Sequence, residues 1–212
     1  MTIEVKICGL CDKASVTAAI EGGARYLGFV FYPPSPRSIH PFNAAKLAAD
    51  VPQGVTTVGL FVDPLDDDID RVLSLTPLRM LQLHGGETPE RVAAIQRRTR
   101  LPVMKAIGIS SPSDLERIRL YEGIADLLLL DAVAGDTPGG NGEVFNWSLL
   151  KNVKWAKPWM LAGGLTQSNI AEAVRQTGAR LLDVSSGVEE ARGLKNPTKI
   201  KAFLDAAGHL ET

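Results

Sequence analysis

Eight short apolar runs recur along the chain, and most are separated by segments with helical signals. Several are nearly continuous in valine, isoleucine and leucine, which is typical of strands buried on both faces of a parallel sheet. The runs cover residues 4–9, 26–31, 56–62, 80–85, 102–109, 125–132, 158–165 and 180–187. Eight strand–helix units indicate an α/β protein, and eight is the number that closes a (β/α)8 TIM barrel. An open, doubly wound sheet is the competing arrangement.

Helical signals fill the segments between the runs. ASVTAAIEG, residues 14–22, ends at a glycine, as many helices do. Thr88-Pro89-Glu90 supplies an N-cap, a first-turn proline and an acid, and Ser111 to Asp114 offers a similar start. No linker or shift of composition divides the chain, so we expect residues 1–212 to form a single barrel domain.

Composition excludes several classes of function. The 23 basic and 24 acidic residues give a formal charge of −1, which provides no electrostatic reason to bind nucleic acid or an anionic membrane. The N-terminus MTIEVKICGL lacks the features of a signal peptide, and no apolar stretch approaches a membrane span. Two cysteines do not make a disulfide framework. We therefore expect a cytoplasmic protein.

The active sites of such barrels lie at the carboxyl ends of the strands, so the residues at these ends are the candidates. Gly163 and Gly164 follow the seventh run, and Ser185, Ser186 and Gly187 follow the eighth. Small residues there leave backbone N–H groups open to a phosphate, although the glycines are also explained by tight turns. The glycines of residues 139–142 are a weak signal alone, because they neither follow a strand directly nor open a clear helix, so they make no dinucleotide fingerprint. The long loop that contains them is typical of a lid or binding loop.

The two cysteines form the spacing C-x-x-C in VKICGLC. One pair without a thioredoxin-like setting argues against redox chemistry, and the scattered histidines argue against zinc, so we expect no metal. Cys8 ends the first strand before a helix whose N-terminal field would favour a thiolate, although a buried structural cysteine is the alternative. Cys11 is expected in the first helical turn, packed as a small apolar residue.

Three further residues are candidates from position alone. Asp131 follows four leucines at the rim of an apolar barrel, where desolvation would favour a protonated carboxyl that acts as an acid, although a helix cap or a structural hydrogen-bond acceptor is the alternative. Arg37 lies in a proline-stiffened loop. Its guanidinium is expected either to pair with a substrate carboxylate or to be a solvated surface charge. His84 is a ligand contact or a hydrogen-bonded structural histidine.

With these residues in place, the chain resembles the phosphoribosylanthranilate isomerase family of tryptophan biosynthesis. The resemblance runs nearly end to end, through VKICGL, GFVFYPPSPR, GLFVD, LQLHGGE, LLLLDA, GGNGEVFNW, LAGGLTQSNI and DVSSGVE with GLKNPTKI. It implies a (β/α)8 barrel, no cofactor, and the Amadori rearrangement of N-(5-phosphoribosyl)anthranilate by acid–base catalysis. The partner is a small phosphorylated substrate, and the chain would act as a monomer or homodimer.

The resemblance also implies roles for single residues. Cys8 would be the general base and Asp131 the general acid, while Arg37 would meet the anthranilate carboxylate. The remaining substrate-binding residues would be Gln82, His84 and Asp183, and the phosphate-binding residues Gly142, Gly163, Gly164, Ser185, Ser186 and Gly187. The chain departs from the family's common pattern at Cys11, Asn141, Asn146 and Asn196, which leaves the dynamics of the 139–142 loop and the rate open.

Rival functions predict different observations. A histidine-pathway sugar isomerase is chemically similar but uses aspartate where this chain has Cys8, and it would turn over an aminoimidazole substrate. The tryptophan synthase alpha subunit is another small phosphate-binding barrel. A regulatory phosphosugar-binding barrel would bind without turnover. A redox protein would form a Cys8–Cys11 disulfide.

Overall fold

The computed structural model describes residues 2–132, 146–151 and 153–210. Eight parallel strands pair in chain order, and pairing of the eighth with the first closes the barrel, so the (β/α)8 prediction is confirmed and the open sheet is wrong. The strands are β1 (Glu4–Cys8), β2 (Tyr26–Val30), β3 (Thr56–Phe61), β4 (Met80–Leu83), β5 (Val103–Ile109), β6 (Leu127–Ala132), β7 (Trp159–Leu161) and β8 (Leu181–Val184).

Seven α-helices pack around this barrel in the described part of the chain. They are α1 (Lys13–Glu21), α2 (Pro41–Ala49), α3 (Asp66–Leu75), α4 (Pro89–Thr99), α5 (Asp114–Glu122), α6 (Ile170–Thr177) and α7 (Pro197–Gly208). Between β6 and β7, the described residues contain a 3-10 turn, Trp147–Leu150, and no α-helix. After β8 the chain forms an antiparallel hairpin, β9 (Glu189–Ala191) with β10 (Leu194–Lys195), before α7 begins.

Caps set the helix starts as the sequence indicated. The Thr88 side chain accepts a hydrogen bond from the Arg91 N–H at the start of α4, and Pro89 occupies the first turn. Two asparagines at departures from the family pattern have the same role. Asn146 accepts from the Ser148 N–H, and Asn196 accepts from the Lys199 N–H at the start of α7. Both departures therefore preserve local structure.

Strand alternation decides which side chains face the barrel interior. One core cluster lies between strands and helices and contains Val5 and Ile7 of β1. Successive strand residues point to opposite faces, so Lys6 and Cys8 point inward. The same argument turns Gln82, Asp131 and Asp183 inward, since Leu81, Leu83, Leu128, Leu130, Leu182 and Val184 belong to the outer cluster. An inner cluster fills the barrel with Met104, Ala106, Leu127, Leu129, Met160 and Ala162.

Candidate active site

Cys8 lies at the mouth of the barrel, at the carboxyl end of β1. Its thiol is nearly buried, and it clusters with Val30 and Leu60. Burial raises the pKa of Cys8, and the positive charge of Lys6 is the largest influence that opposes this rise. The predicted helix follows as α1, which begins at Lys13, five residues after Cys8, and its effect on the thiolate stays a prediction.

Cys11 differs from its prediction. It lies outside the helix, since Asp12 is the N-cap of α1 and accepts a hydrogen bond from the Ser15 N–H. The Cys11 side chain is exposed, and its Sγ donates to the carbonyl oxygen of Arg37 at 3.3 Å. Both cysteines are free thiols. Cys11 is therefore not a small core residue, and it approaches the backbone of the loop after β2.

Asp131 belongs to a short chain of polar side chains inside the barrel mouth. His84 Nε2 lies 3.3 Å from Asp131 Oδ2, and His84 Nδ1 lies 3.0 Å from Gln82 Nε2. If Gln82 donates to Nδ1, a neutral His84 carries its proton on Nε2 and donates it to Asp131. Gln82 Oε1 is buried with no hydrogen-bond partner among the described residues. The structure therefore joins the predicted Gln82, His84 and Asp131 in one unit.

Asp183 is engaged by a residue that the sequence analysis missed. Lys6 is fully buried, and its Nζ lies 2.8 Å from Asp183 Oδ1. The two residues face each other across the β1–β8 pairing. A lysine between the apolar Val5 and Ile7, two positions before Cys8, was the available signal, because positions two apart share a face.

Arg37 is not a solvated surface charge. It is 5% exposed, and it forms a bidentate pair with Glu189, with Nε at 2.7 Å and Nη2 at 3.0 Å from the two carboxylate oxygens. Lys195 Nζ lies 2.6 Å from Glu189 Oε1 and also donates to the carbonyl oxygen of Ser185. This network ties the loop after β2 to the loop after β8.

The predicted phosphate loops lie side by side. Asn169 donates to the carbonyl oxygen of Gly164, and Ser185 Oγ donates to the carbonyl oxygen of Cys8. A Cβ atom on Gly187 would collide with the carbonyl oxygen of Leu165, so only glycine allows the two loops to approach. Gly163 and Ser186 lie in the same two loops, after β7 and β8. Gly142 and Asn141 lie outside the described residues.

Two clefts lie near the barrel mouth. One, of about 390 Å³, opens beside the phosphate loops and is lined by Thr166, Gln167, Ser168, Gly187 and Lys199. The other, of about 460 Å³, lies between the loops that follow β2 and β3. The second contains none of the predicted acid–base residues. The cleft beside the phosphate loops also lacks Cys8 and Asp131, and of the predicted site residues it contains Gly187 alone among its described lining.

Among residues 2–132, 146–151 and 153–210, no cluster of three or more histidine, cysteine, aspartate or glutamate side chains is able to hold a metal ion. None of the helices in that part of the chain has both the length and the apolar character needed to cross a membrane.

Comparison with known proteins gives consistent results. Residues 5–206 match the family model described as N-(5′-phosphoribosyl)anthranilate (PRA) isomerase. The enzyme of that name from Paracoccus denitrificans is 53% identical over 210 residues, covering 98% of each chain. That of Rhodospirillum centenum is 51% identical, covering 99% of this chain and all of the relative.

Solved structures give the same picture. The phosphoribosyl anthranilate isomerase of Thermotoga maritima has a TM-score of 0.89 at 35% identity, covering 99% of this chain and all of that one. A second isomerase structure, in complex with reduced 1-(o-carboxyphenylamino)-1-deoxyribulose 5-phosphate, has a TM-score of 0.86 at 34% identity over the same shares. A third describes monomers generated from the dimeric Thermotoga maritima enzyme, at 35% identity and a TM-score of 0.86.

Proposed function

The chain belongs to the N-(5′-phosphoribosyl)anthranilate isomerase family and isomerises that phosphosugar in tryptophan biosynthesis, and we propose that Cys8 and Asp131 perform its two proton transfers. One observation carries this assignment. Both side chains point inward at the carboxyl ends of barrel strands, Cys8 from β1 and Asp131 from β6. A thiol and a carboxyl on separate strands can reach different atoms of one bound sugar.

Asp131 acts first, as the general acid. Its carboxyl proton passes to the furanose ring oxygen while the bond from that oxygen to C1 breaks. The nitrogen lone pair then forms the C1=N bond of a protonated Schiff base. His84, 3.3 Å from Asp131 Oδ2, orients the carboxyl, and Gln82 orients His84 in turn. A positioned acid of this kind contributes roughly 10²–10⁴-fold to the rate.

Cys8 acts second, as the general base. Its thiolate accepts the proton on ribose C2, and the released electron pair forms the C1=C2 bond while the C1=N electrons move to nitrogen. The resulting enolamine tautomerises to the ketone at C2 as the Cys8 thiol returns its proton to C1. Asp131, now ionised, is available to accept the proton that leaves the C2 hydroxyl. The sum of the steps moves hydrogen from C2 to C1 with no net change in redox state, so no cofactor or metal is required.

The two ends of the substrate would be held by different loops. We assign the phosphate to the loops of Gly163–Gly164 and Ser185–Gly187, supported by their shared position after β7 and β8. Arg37 would meet the anthranilate carboxylate, and Glu189 fixes the plane of its guanidinium. The substrate carboxylate would therefore compete with partners that Arg37 already has.

Cellular setting and assembly follow from the same proposal. We place the protein in the cytoplasm, with a small phosphorylated molecule as its partner. We propose neither nucleic acid nor a membrane as a partner, since the 23 basic and 24 acidic residues nearly balance. A monomer or a homodimer is proposed, supported by the dimeric relative whose monomers were also solved.

The test is the loss of anthranilate fluorescence from freshly prepared phosphoribosylanthranilate. We expect the wild type and Cys11→Ser to turn over, while Cys8→Ser and Asp131→Asn each lose at least about 10²-fold in kcat and still bind substrate. An inactive wild type that binds phosphate ligands would refute the isomerase function. Equal loss in both cysteine variants would instead support a cysteine pair.

A further inference from the structure

Lys6 lies directly beneath the proposed base, inside the barrel. It precedes Cys8 by two positions on β1, so both side chains point to the same face. Lys6 is fully buried, and Asp183 of the neighbouring strand holds its ammonium at 2.8 Å. A buried charge of this kind is costly unless it is paired, and the cost indicates a role for Lys6 beyond packing.

Gly28 shows how near the ammonium and the sulfur are. It pairs with Cys8 across β1 and β2. A Cβ atom on Gly28 would lie 3.1 Å from Cys8 Sγ and also 3.1 Å from Lys6 Nζ. The two atoms are therefore separated by at most about 6 Å. Because glycine has no side chain, nothing from Gly28 stands between them.

Charges around the thiol have unequal effects. Burial raises the pKa of Cys8, Lys6 gives the largest opposing contribution, Asp183 raises the pKa further and Lys195 lowers it. Cys11, Asp12 and the Arg37–Glu189 pair are further titratable groups near this end of β1. Burial also lowers the pKa of Lys6, but the attraction of Asp183 outweighs this effect and the pKa is raised, so Lys6 stays protonated.

We propose that Lys6 is a positioning residue that stabilises the thiolate form of Cys8, and that Asp183 holds Lys6 in place. This inference rests on the proposed role of Cys8 as the base. It also changes the role of Asp183 from a substrate contact to a charge partner. Burial raises the pKa of Cys8 and so makes its thiolate strongly basic, while Lys6 limits that rise and enlarges the ionised fraction at a given pH. A base works best when these two demands balance.

The experiment measures the pH midpoint of Cys8 ionisation without substrate. In a Cys11→Ser background, the rate of Cys8 alkylation by iodoacetamide is followed against pH, since the thiolate is the reactive form. We compare Lys6→Met with the double variant Lys6→Met/Asp183→Asn, which removes both charges. The matched control is Lys105→Met/Glu87→Gln, which removes another buried lysine pair, one with 2.8 Å between its charged atoms.

We expect Lys6→Met to raise the midpoint and slow alkylation at pH 7 by about 10- to 100-fold, one factor of ten for each pKa unit. The double variant should slow it by about tenfold, because Asp183 no longer opposes the thiolate. The control should keep the parent midpoint. The alkaline shift should appear equally in the pH profile of kcat/KM, which a loss of packing alone would not move.

An unchanged midpoint in the Lys6 variants, relative to the control, would overturn the proposal. If Lys6→Met fails to fold by circular dichroism, the charge-neutral double variant decides the question. If the reagent reaches Cys8 too slowly, the same midpoint can be read from thiolate absorbance at about 240 nm. The Cys8→Ser spectrum is subtracted to isolate the signal of Cys8. Retained turnover in Cys8→Ser would refute the base role itself, and it would leave the midpoint comparison intact.

Discussion

Replacing Gly9 by alanine tests how the backbone after Cys8 positions Arg37. Gly9 has φ of +79°, a left-handed conformation that an L-residue adopts only at a cost. A Cβ atom there would lie 2.8 Å from Cδ of Arg37 and 3.2 Å from its Cβ and Cγ. Ordinary carbon contacts are about 3.5–4.0 Å. The stem of Arg37 would therefore have to move, and its guanidinium is held by Glu189.

Two terms give the expected size. The left-handed conformation costs about 1 kcal/mol for alanine. Loosening one charged hydrogen bond between Arg37 and Glu189 costs about 1.5 kcal/mol. Because 1 kcal/mol corresponds to about 2–4 °C of Tm in a domain of this size, we expect Gly9→Ala to lower Tm by about 5–10 °C. We also expect KM for the substrate to rise by about tenfold, since Arg37 is the proposed carboxylate contact.

Gly23→Ala is the matched control. Its φ is +84°, close to that of Gly9, yet an added Cβ would meet nothing within 4 Å. It should lose only about 2–4 °C, with unchanged KM. The assays are thermal unfolding by circular dichroism and steady-state kinetics. Equal Tm losses and equal KM values in the two variants would refute the reasoning that the Arg37 side chain occupies the space that a Cβ atom on residue 9 would need.

Three further outcomes are expected. Arg37→Ala should raise KM by at least about tenfold in steady-state kinetics, with a smaller change in kcat, and an unchanged KM would remove Arg37 from the substrate site. Burial raises the pKa of Asp114, but hydrogen bonds from Ser110 and Ser111 outweigh this effect and lower the pKa to about 2. A carboxyl whose pKa is lowered by folding stabilises the fold at pH values above its unfolded pKa. In urea titrations, the difference in unfolding free energy between wild type and Asp114→Ala should therefore be full above about pH 4 and vanish towards pH 2. If residues 1–212 form one domain, calorimetry should show a single transition whose van't Hoff and calorimetric enthalpies agree, and two transitions would contradict it.

Strand periodicity made much of the fold and site predictable. Eight apolar runs correspond to the eight barrel strands, and alternation alone turns Cys8 and Asp131 inward. The helix start at Thr88 follows local capping chemistry, which depends on neighbouring residues only, whereas Ser113 makes no side-chain capping hydrogen bond at the start of α5. These features are local, so a single sequence contains the information.

Most of the parts that failed depend on distant contacts. Arg37 and Glu189 are 152 residues apart, and no local pattern announces that they pair. Glu189 and Lys195 belong to the β9–β10 hairpin, whose strands are too short to show a periodic pattern of apolar residues in the sequence. The prediction for Cys11 failed for a local reason, since Asp12 is the N-cap and the helix begins after it. By contrast, Lys6 could have been predicted as a site residue, because strand alternation places it on the same inward face as Cys8.

Borodeuteride trapping during a single turnover tests the division between acid and base most directly. Reduction of the Schiff base places deuterium on C1, whereas reduction of the ketone product places it on C2. If Asp131 opens the ring and Cys8 then removes the C2 proton, Cys8→Ser should accumulate the C1-labelled amine. Asp131→Asn should yield neither label, and the wild type should yield the C2-labelled product. A C1-labelled amine from Asp131→Asn, or none from Cys8→Ser, would contradict the assignment of acid and base.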